Sequence, residues 1–274
     1  MTISDALRAA TERLIATSDT VRLDAELLMA HALGVSRSDL LLRHMNEPAP
    51  GGFLPMIERR LRHEPVAYII GEAEFCGHSF IVNPAVLIPR GDSETLVEAA
   101  LEQGPQTGRV LDLGTGSGAL LLSVMAARPA MQGIGIDASF DAVQVAALNA
   151  QRLGLGDRAR IFQRDWCEPG WADELGRFAL ILCNPPYVED GAELASDVRD
   201  FEPASALFAG PEGLDDYRRI IPQLSDLLDE RGLAVLEIGA TQGRQVMAIA
   251  HESGFSTQLR RDLAGRDRAI ILSR

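Results

Sequence analysis

VLDLGTGSG, residues 110–118, joins a short apolar run to a loop that contains three glycines. The run Val110–Leu113 has the length and character of a buried strand, and the apolar segment that begins near Ala119 is typical of a helix. Glycine lets the backbone turn tightly and lets a ligand approach without a Cβ atom in the way. The stretch therefore predicts the first strand-to-helix turn of an α/β sheet, and ligands bind outside the carboxyl ends of the strands in such sheets.

The alternation of strand and helix patterns continues to the end of the chain. The predicted strands are Val110–Leu113, Gly133–Ile136, Arg160–Gln163, Phe178–Cys183, Leu233–Ile238, Phe255–Leu259 and Arg268–Leu272. Helices are predicted from about Ala119, at Ala142–Leu153, at Asp215–Leu228 and at Gln242–Ser253. Alternating units of this kind favour a seven-stranded, mostly parallel, doubly wound sheet with helices on both faces. Since only Asp262–Asp267 separates the last two strands, we expect them to pair antiparallel.

The first part of the chain has no β pattern and predicts a small helical bundle. Ser4 is placed to cap the first helix, and Gly34 ends the second. The segment from Tyr68 to Pro89 then mixes β-branched and aromatic residues with turn signals, which predicts a short hairpin. Three segments result: a helical domain at 1–67, a hairpin linker at 68–90 and an α/β domain at 91–274.

The chain is acidic, with 39 Asp and Glu residues against 26 Lys and Arg and a net charge of −13. This balance disfavours non-specific duplex binding, which depends on Lys and Arg contacts to phosphate. Its cysteines, Cys76, Cys167 and Cys183, are scattered and lack metal-ligand spacing, so we expect reduced thiols and no metal. No secretory leader is visible after Met1, and no apolar stretch approaches the roughly 20 residues of a membrane span. These features predict a cytoplasmic protein without a membrane partner.

Two acidic residues near the glycine loop indicate the kind of ligand. The second strand ends at Asp137, 137 − 114 = 23 residues after Gly114, where an acid accepts hydrogen bonds from ribose hydroxyl groups. A dinucleotide loop reads G-x-G-x-x-G, whereas this loop reads G-x-G-x-G and follows Asp112. A carboxylate at that position repels phosphate and can bind an ammonium group. S-adenosylmethionine has ribose, adenine and an ammonium group but no phosphate, so the pattern favours it over NAD.

Asp165 and Trp166 follow the third predicted strand. An acid here can meet the adenine amino group, and an aromatic ring can cover the base; a helix cap beside a core tryptophan is the alternative. The predicted cofactor-binding residues are Asp112, Gly114, Thr115, Gly116, Ser117, Gly118, Asp137, Asp165, Trp166 and Asn184.

NPPY, residues 184–187, follows the fourth predicted strand and predicts a stiff loop in the binding crevice. An amide nitrogen is a poor nucleophile because its lone pair is delocalised, as the barrier of roughly 18–20 kcal/mol to peptide C–N rotation shows. The carbonyl groups of the Asn184 side chain and the Pro185 backbone can accept hydrogen bonds from an NH2 group, and Tyr187 offers a flat face. We predict methyl transfer to a planar NH2 group, with Asn184, Pro185 and Tyr187 as catalytic residues and no metal or strong base. The alternative is a rigid turn with Tyr187 packed in the core.

Residues 112–118 and 184–187 together resemble the amino methyltransferases that act on planar NH2 groups, and more closely the release-factor glutamine methyltransferase family, called HemK or PrmC. The similarity covers nearly the whole chain. Further matching motifs are Ile88-Pro89-Arg90, Asp92-Ser93-Glu94, the pattern from Asp137 to Asn149, Asp165-Trp166, Glu202-Pro203, Ala206-Leu207, Gly213-Leu214, Glu237-Ile238-Gly239, and Asp262 to Gly265 with Arg268. The family usually has proline where this chain has Gly91, and glycine loosens the segment. Arg90 could therefore bind substrate or form a surface ion pair. Glu237 could likewise serve the site or the hydrogen bonding at the end of the sheet.

This resemblance implies a class I methyltransferase-like fold and a specific reaction. The reaction transfers a methyl group from S-adenosylmethionine to N5 of the glutamine in the Gly-Gly-Gln motif of class 1 peptide chain release factors, with S-adenosylhomocysteine as product. It also implies that the helical domain and the hairpin help to hold the factor, with no direct nucleic-acid contact. The substrate-binding residues are then Arg90, Asn184, Pro185, Pro186 and Tyr187.

Three other functions fit parts of the sequence. A DNA adenine-N6 methyltransferase uses the same kind of acceptor loop on a flipped base, but the acidic charge and the lack of a basic target-recognition region oppose it. A protein-binding module with a vestigial cofactor fold would not need Asn184 and the glycine loop together. An NAD-dependent oxidoreductase is the third option, which binding of NAD but not of S-adenosylmethionine would support.

Overall fold

The computed structural model describes residues 1–274. The helices are α1 (Ile3–Leu14), α2 (Val21–Leu33), α3 (Arg37–Asp39), α4 (Phe53–Arg60), α5 (Val66–Ile70), α6 (Glu94–Gln103), α7 (Ala119–Ala127), α8 (Phe140–Arg152), α9 (Ser196–Arg199), α10 (Asp215–Leu227) and α11 (Gly243–Glu252). The strands are β1 (Glu72–Phe75), β2 (His78–Ile81), β3 (Gly108–Leu113), β4 (Met131–Asp137), β5 (Ala159–Gln163), β6 (Phe178–Cys183), β7 (Leu228–Glu237), β8 (Ser256–Arg261) and β9 (Asp267–Ser273). A π-helical turn follows α3 at Leu40–His44, and 3₁₀ turns lie at Gly91–Ser93 and Ala204–Ala206. None of these helices has both the length and the apolar character that crossing a membrane requires.

The chain separates into two compact units. The helical unit comprises Met1–Glu72 and Leu194–Glu202, and the sheet unit comprises Ala73–Glu193 and Pro203–Arg274. A charge cluster connects the distant segment Leu194–Glu202 to helices of the same unit. The buried Arg60 donates from Nε to Asp24 Oδ2 at 2.7 Å, and its Nη2 lies 3.9 Å from Asp197 Oδ2.

The helical unit packs α1, α2, α4 and α5 around one apolar core. Thr2 caps α1: its hydroxyl accepts the backbone N–H of Asp5, whose carboxylate accepts the backbone N–H of Thr2. The prediction that Ser4 caps this helix is therefore wrong. A reciprocal cap needs an acidic or amide side chain three residues after the capping residue, and Asp5 stands at that distance from Thr2, whereas Leu7 stands there for Ser4.

The hairpin is shorter than the sequence predicts. Its strands β1 and β2 cover residues 72–81, whereas Tyr68 to Ile70 belong to α5. Ile69 is buried in the core of the helical unit, so tertiary packing outweighs the β preference of this branched side chain. Gly71, with φ of 79°, then ends α5 in the left-handed conformation.

The sheet unit contains seven strands in the order β5-β4-β3-β6-β7-β9-β8. Neighbouring strands from β5 to β7 are parallel, and β9 is antiparallel to both β7 and β8. The predicted seven-stranded, mostly parallel sheet is thus confirmed, including its antiparallel last pair. The turn between β8 and β9 lies at the end of the sheet where β7 finishes, because Glu237 pairs with Ala269.

Helices cover both faces of this sheet. Leu111 and Ile181 point into a core that includes residues of α10 and α11, and Val110 and Leu180 point into a second core with α6 and α7. Successive residues alternate between the two cores, as side chains on a strand must. Sequence reasoning missed α6, a ten-residue helix that packs in the second core.

The strand order reverses between β3 and β6. Leu113 at the end of β3 pairs with Cys183 at the end of β6, so the loops that begin at Gly114 and Asn184 leave the sheet side by side. In open α/β sheets such a reversal creates a crevice at the carboxyl ends of the strands, and ligands bind there.

Candidate active site

A cavity of about 280 Å³ opens at this crevice within the sheet unit. Its volume is close to the lower end of the range for ligand sites, roughly 300–1,000 Å³. Most of the site residues predicted from the sequence line it: Arg90, Gly114, Thr115, Gly116, Ser117, Asp137, Trp166, Asn184 and Pro186. The structure therefore brings the glycine loop and the acceptor loop to one cavity. Asp112, Gly118, Asp165, Pro185 and Tyr187 are not part of its lining.

The glycine loop is fixed from the neighbouring strand and from α8. The backbone N–H of Thr115 donates to the Ile136 carbonyl at 2.8 Å, and that of Gly116 donates to Asp137 Oδ2 at 2.9 Å. The fully buried Asn149 on α8 donates to the Ser117 carbonyl at 2.8 Å and also bonds the backbone of Ile81 in β2. These hydrogen bonds hold the glycine loop against both β4 and α8.

Gly114 shows why this loop needs glycine. Its φ is 70°, in the left-handed region that side chains with a Cβ adopt reluctantly. A Cβ at this position would also lie 3.0 Å from the ring of Trp166. The tight approach of the tryptophan to the backbone therefore depends on the absence of a side chain.

Asp137 combines support of the loop with exposure to the cavity. One carboxylate oxygen accepts the N–H of Gly116 and the other accepts the N–H of Ser139, each at 2.9 Å. Burial raises the pKa of Asp137, and these two N–H donors oppose that rise. Each oxygen of an ionised carboxylate has a second lone pair, so Asp137 can also accept hydrogen bonds from ligand hydroxyl groups.

Asp112 lies beneath the glycine loop and is only 1% exposed. Its Oδ2 accepts the hydroxyl of Thr115 at 2.6 Å. Burial raises the pKa of Asp112 to about 7, against the lowering effect of the Thr115 hydroxyl. The Asp112 carboxylate thus contacts Thr115 of the glycine loop. Its contact with the ammonium group of a ligand stays a prediction.

The buried Asp112 predicts a pH dependence of stability. The folded state holds this proton up to about pH 7, whereas an unfolded aspartate releases it near pH 4. The free energy of unfolding should therefore fall as the pH rises from about 4 to 7, by up to about 1.4 kcal/mol per pH unit from this one group. Asp112→Asn should remove this share of the slope. Urea unfolding across the pH range checks it, with the exposed Asp157→Asn as control; parallel curves for wild type and Asp112→Asn would contradict it.

Trp166 is oriented by a residue that sequence reasoning missed. Its indole Nε1 donates to Asp216 Oδ1 on α10 at 3.0 Å, and the ring stands against Gly114 at the cavity. Asp165 instead closes a local turn, since its Oδ1 accepts the N–H of Cys167 at 2.8 Å. Asp216 follows Trp166 by 50 residues, and no local pattern connects the two.

Asn184 lines the cavity, and its side-chain amide makes no hydrogen bond within the protein. Pro185 and Pro186 next to it are buried. The amide group of Asn184 is therefore held by a rigid, buried backbone and keeps its hydrogen-bonding capacity for a ligand.

Gln242 fastens the other end of the acceptor loop, and sequence reasoning missed this residue too. Its Nε2 donates to the Tyr187 carbonyl at 3.0 Å and to the Gly213 carbonyl at 3.1 Å, while its Oε1 accepts the N–H of Gly239 at 3.0 Å. The buried Gln242 therefore links the acceptor loop to the loops that contain Gly213 and Gly239. Gly213 and Gly239 belong to the sequence motifs noted above, and a Cβ at either position would lie within 3 Å of the Gln242 side chain.

Gly213 lies behind the acceptor loop, at a position where an added side chain should impair the reaction. Its φ is 65°, and a Cβ there would overlap the Tyr187 carbonyl oxygen. Gly213→Ala should displace the acceptor loop and lower the rate of the methyl transfer predicted above by about tenfold or more. Gly254→Ala is the matched control, because Gly254 also has a positive φ, of 84°, but a Cβ added there would meet no heavy atom within 4 Å. Equal effects of the two substitutions on the rate would show that backbone strain alone is responsible.

Tyr187 is anchored at both its backbone and its side chain. Its hydroxyl donates to Glu237 Oε1 at 3.2 Å. Burial, followed by the charge of Glu237, raises the pKa of Tyr187 well above its usual range, so the hydroxyl stays protonated and is no general base. Stacking of the Tyr187 ring on a substrate stays a prediction.

Comparison with known proteins finds relatives that match nearly the whole chain. Two family models match the chain: the PrmC N-terminal domain at residues 5–71 and the methyltransferase small domain at residues 91–206. A relative from Cereibacter sphaeroides, named release factor glutamine methyltransferase, is 41% identical over 278 residues and covers 98% of each chain. The relative of the same name from Vibrio cholerae is 40% identical over 279 residues, which is 99% of this chain and 96% of its own.

Solved structures share the fold at low sequence identity. The catalytic domain of hMettl16, in complex with a 3′UTR hairpin, aligns with a TM-score of 0.55 at 16% identity, over 72% of this chain and 76% of its own. A methyltransferase from Pyrococcus furiosus aligns with a TM-score of 0.51 at 15% identity, over 70% of this chain and 87% of its own. At these identities the likeness shows a methyltransferase fold alone.

Proposed function

The chain belongs to the release factor glutamine methyltransferase family, and we propose that it transfers a methyl group from S-adenosylmethionine to N5 of the glutamine in the Gly-Gly-Gln motif of peptide chain release factors. The observation that carries this proposal is the position of Asn184. Its side-chain amide has no partner in the protein and lines the same cavity as the glycine loop. A methyl donor and a planar amide can thus meet at one point.

The residues of the cavity fit S-adenosylmethionine. Asp137 would accept hydrogen bonds from the ribose hydroxyl groups, Trp166 would pack against the adenine, and the glycine loop would lie along the remainder. The cofactor supplies an electrophilic methyl group on a sulfonium sulfur. An acidic site of this kind suits a cation better than it suits the pyrophosphate of NAD.

The acceptor loop addresses the weak nucleophilicity of the amide. The Asn184 side-chain carbonyl and the Pro185 backbone carbonyl would accept hydrogen bonds from the glutamine NH2 group, which favours a lone pair that is less delocalised. Holding the nitrogen about 3–3.5 Å from the methyl carbon then makes the transfer an effectively intramolecular reaction. Because the raised pKa keeps the Tyr187 hydroxyl protonated, we expect the proton on the methylated nitrogen to leave to solvent.

We assign the helical unit to binding of the release factor. It matches the PrmC N-terminal domain model at residues 5–71, and a protein substrate that presents one glutamine needs contacts beyond the cavity. We also place the reaction in the cytoplasm, because release factors act in translation.

Mass spectrometry of a release factor tests the proposal. After incubation with the protein and S-adenosylmethionine, the tryptic peptide that contains the Gly-Gly-Gln motif should gain the mass of one CH2 group, located on the glutamine. A factor with Glu in place of that glutamine is the matched control and should gain nothing. A parallel reaction with DNA tests the adenine alternative; label on DNA and none on the factor would overturn the assignment.

A further inference from the structure

We propose that Glu237 is a positioning residue of the methyl-transfer site, acting through the hydroxyl group of Tyr187 and without touching either substrate. The proposal rests on the proposed function for its effect on the reaction rate. Glu237 ends β7, directly behind the acceptor loop, and its carboxylate accepts the Tyr187 hydroxyl at 3.2 Å. Glu237 does not line the cavity and is only 1% exposed, so it cannot contact a ligand in the cavity.

The backbone of Glu237 is held by α10 and by the neighbouring strand. Its carbonyl accepts the hydroxyl of the buried Tyr217 on α10 at 2.8 Å. Its pairing with Ala269 in β9 also holds the residue in register. A carboxylate on so rigid a base can define the position of the Tyr187 ring.

Arg268 supplies the charge that a buried carboxylate requires. Its Nη1 lies 4.0 Å from Glu237 Oε1, and its Nη2 donates to Asp92 Oδ2 at 3.0 Å and lies 3.5 Å from Asp262 Oδ2. Arg266 also donates to Asp92 at 3.0 Å. None of the residues Asp92, Asp262, Arg268 and Glu237 lines the cavity, and their side chains form one ionic cluster behind Tyr187.

Glu237 is suited to accept this hydrogen bond at neutral pH. Burial raises the pKa of its carboxyl to about 6, while Ser93, Arg268 and Tyr187 limit the rise. It is therefore largely ionised in neutral solution and available to accept the Tyr187 hydroxyl. The ring of Tyr187 is thereby held at its outer end by Glu237 and at its backbone by Gln242.

A double-substitution experiment tests this role. Tyr187→Phe removes the hydroxyl and keeps the ring, and we expect kcat for methyl transfer to fall about 10- to 100-fold. Glu237→Gln should lower kcat less, because its amide oxygen can still accept the hydroxyl. Combined with Tyr187→Phe, it should cause no further loss, since both changes break the same link. The affinity for S-adenosylmethionine, measured by calorimetry, should change less than twofold, and Glu230→Ala on the exposed part of β7 serves as control.

Two outcomes would overturn the inference. Multiplicative losses in the double variant, or a matching loss of S-adenosylmethionine affinity, would mean that Glu237 only stabilises the sheet. A second measurement does not depend on activity: the chain has three tyrosines, so Tyr187→Phe identifies the Tyr187 signal in a spectrum of ¹³Cζ-labelled tyrosine. Glu237→Gln should shift that signal, and an unmoved signal would refute the contact even if wild type failed to methylate a release factor. Such a failure of wild type would refute the proposed function alone.

Discussion

Asn184→Ala is expected to lower kcat/KM for methylation of the release-factor glutamine by roughly 10²- to 10³-fold, the loss that follows removal of one hydrogen-bonding group aimed at the reacting centre. The substitution removes the side-chain carbonyl that would accept the amide N–H and leaves the Pro185 carbonyl in place. Because the Asn184 amide makes no hydrogen bond within the protein, its removal strands no internal partner. The melting temperature should therefore stay close to that of wild type.

Asn83→Ala provides a matched control for this prediction. Asn83 also precedes a proline, Pro84, but it accepts the N–H of Ala85 and does not line the cavity. It should keep a rate near that of wild type. Single-turnover rates with excess enzyme would separate the chemical step from substrate binding. A wild-type rate for Asn184→Ala would remove this residue from the chemistry.

Asp137→Ala is expected to weaken binding of S-adenosylmethionine by about 100-fold. The change removes the acceptor for ligand hydroxyl groups and also frees the N–H groups of Gly116 and Ser139, which Asp137 now holds. Charged hydrogen-bond partners at a partly buried position have effects of this size. Asp137→Asn keeps the size and one acceptor oxygen, and should fall between Asp137→Ala and wild type.

Calorimetric titration with S-adenosylmethionine and with S-adenosylhomocysteine measures this effect. Asp157→Ala, at an exposed position of the same unit, should leave the affinity unchanged. Urea unfolding of each variant is needed beside the titration, because Asp137 also supports the glycine loop. A loss of stability with unchanged affinity would show that support of the loop is the only role of Asp137.

Much of the sheet unit could be predicted from local pattern. Phe178–Cys183 is a strand in the structure with the same bounds as predicted, since a short apolar run of this length between turn signals is typical of a buried strand. The helical unit was harder, because Tyr68 to Ile70 has a β-like composition and folds as α5. Its burial in the helical core decided the outcome, and burial is a property of the whole fold.

The loops of the site could be predicted from the sequence, but the hydrogen bonds that hold them in place could not. The glycine loop and residues 184–187 indicate their chemistry through residue type and spacing. Gln242 and Asp216 gave no such signal, because a single glutamine or aspartate at the start of a helix is common for many reasons. Their roles became visible only through the hydrogen bonds that they make to Tyr187 and Trp166.

The sequence by itself determined the strands of the sheet, the tight turn of the glycine loop and the stiff acceptor loop, because each depends on neighbouring residues and on backbone angles. Only the tertiary structure decided which side chains hold these loops in place. Trp166 reaches Asp216, and Tyr187 reaches Glu237, each across 50 residues of chain. The register of parallel strands and the packing of α10 set these pairings, and no local pattern encodes a distance through space.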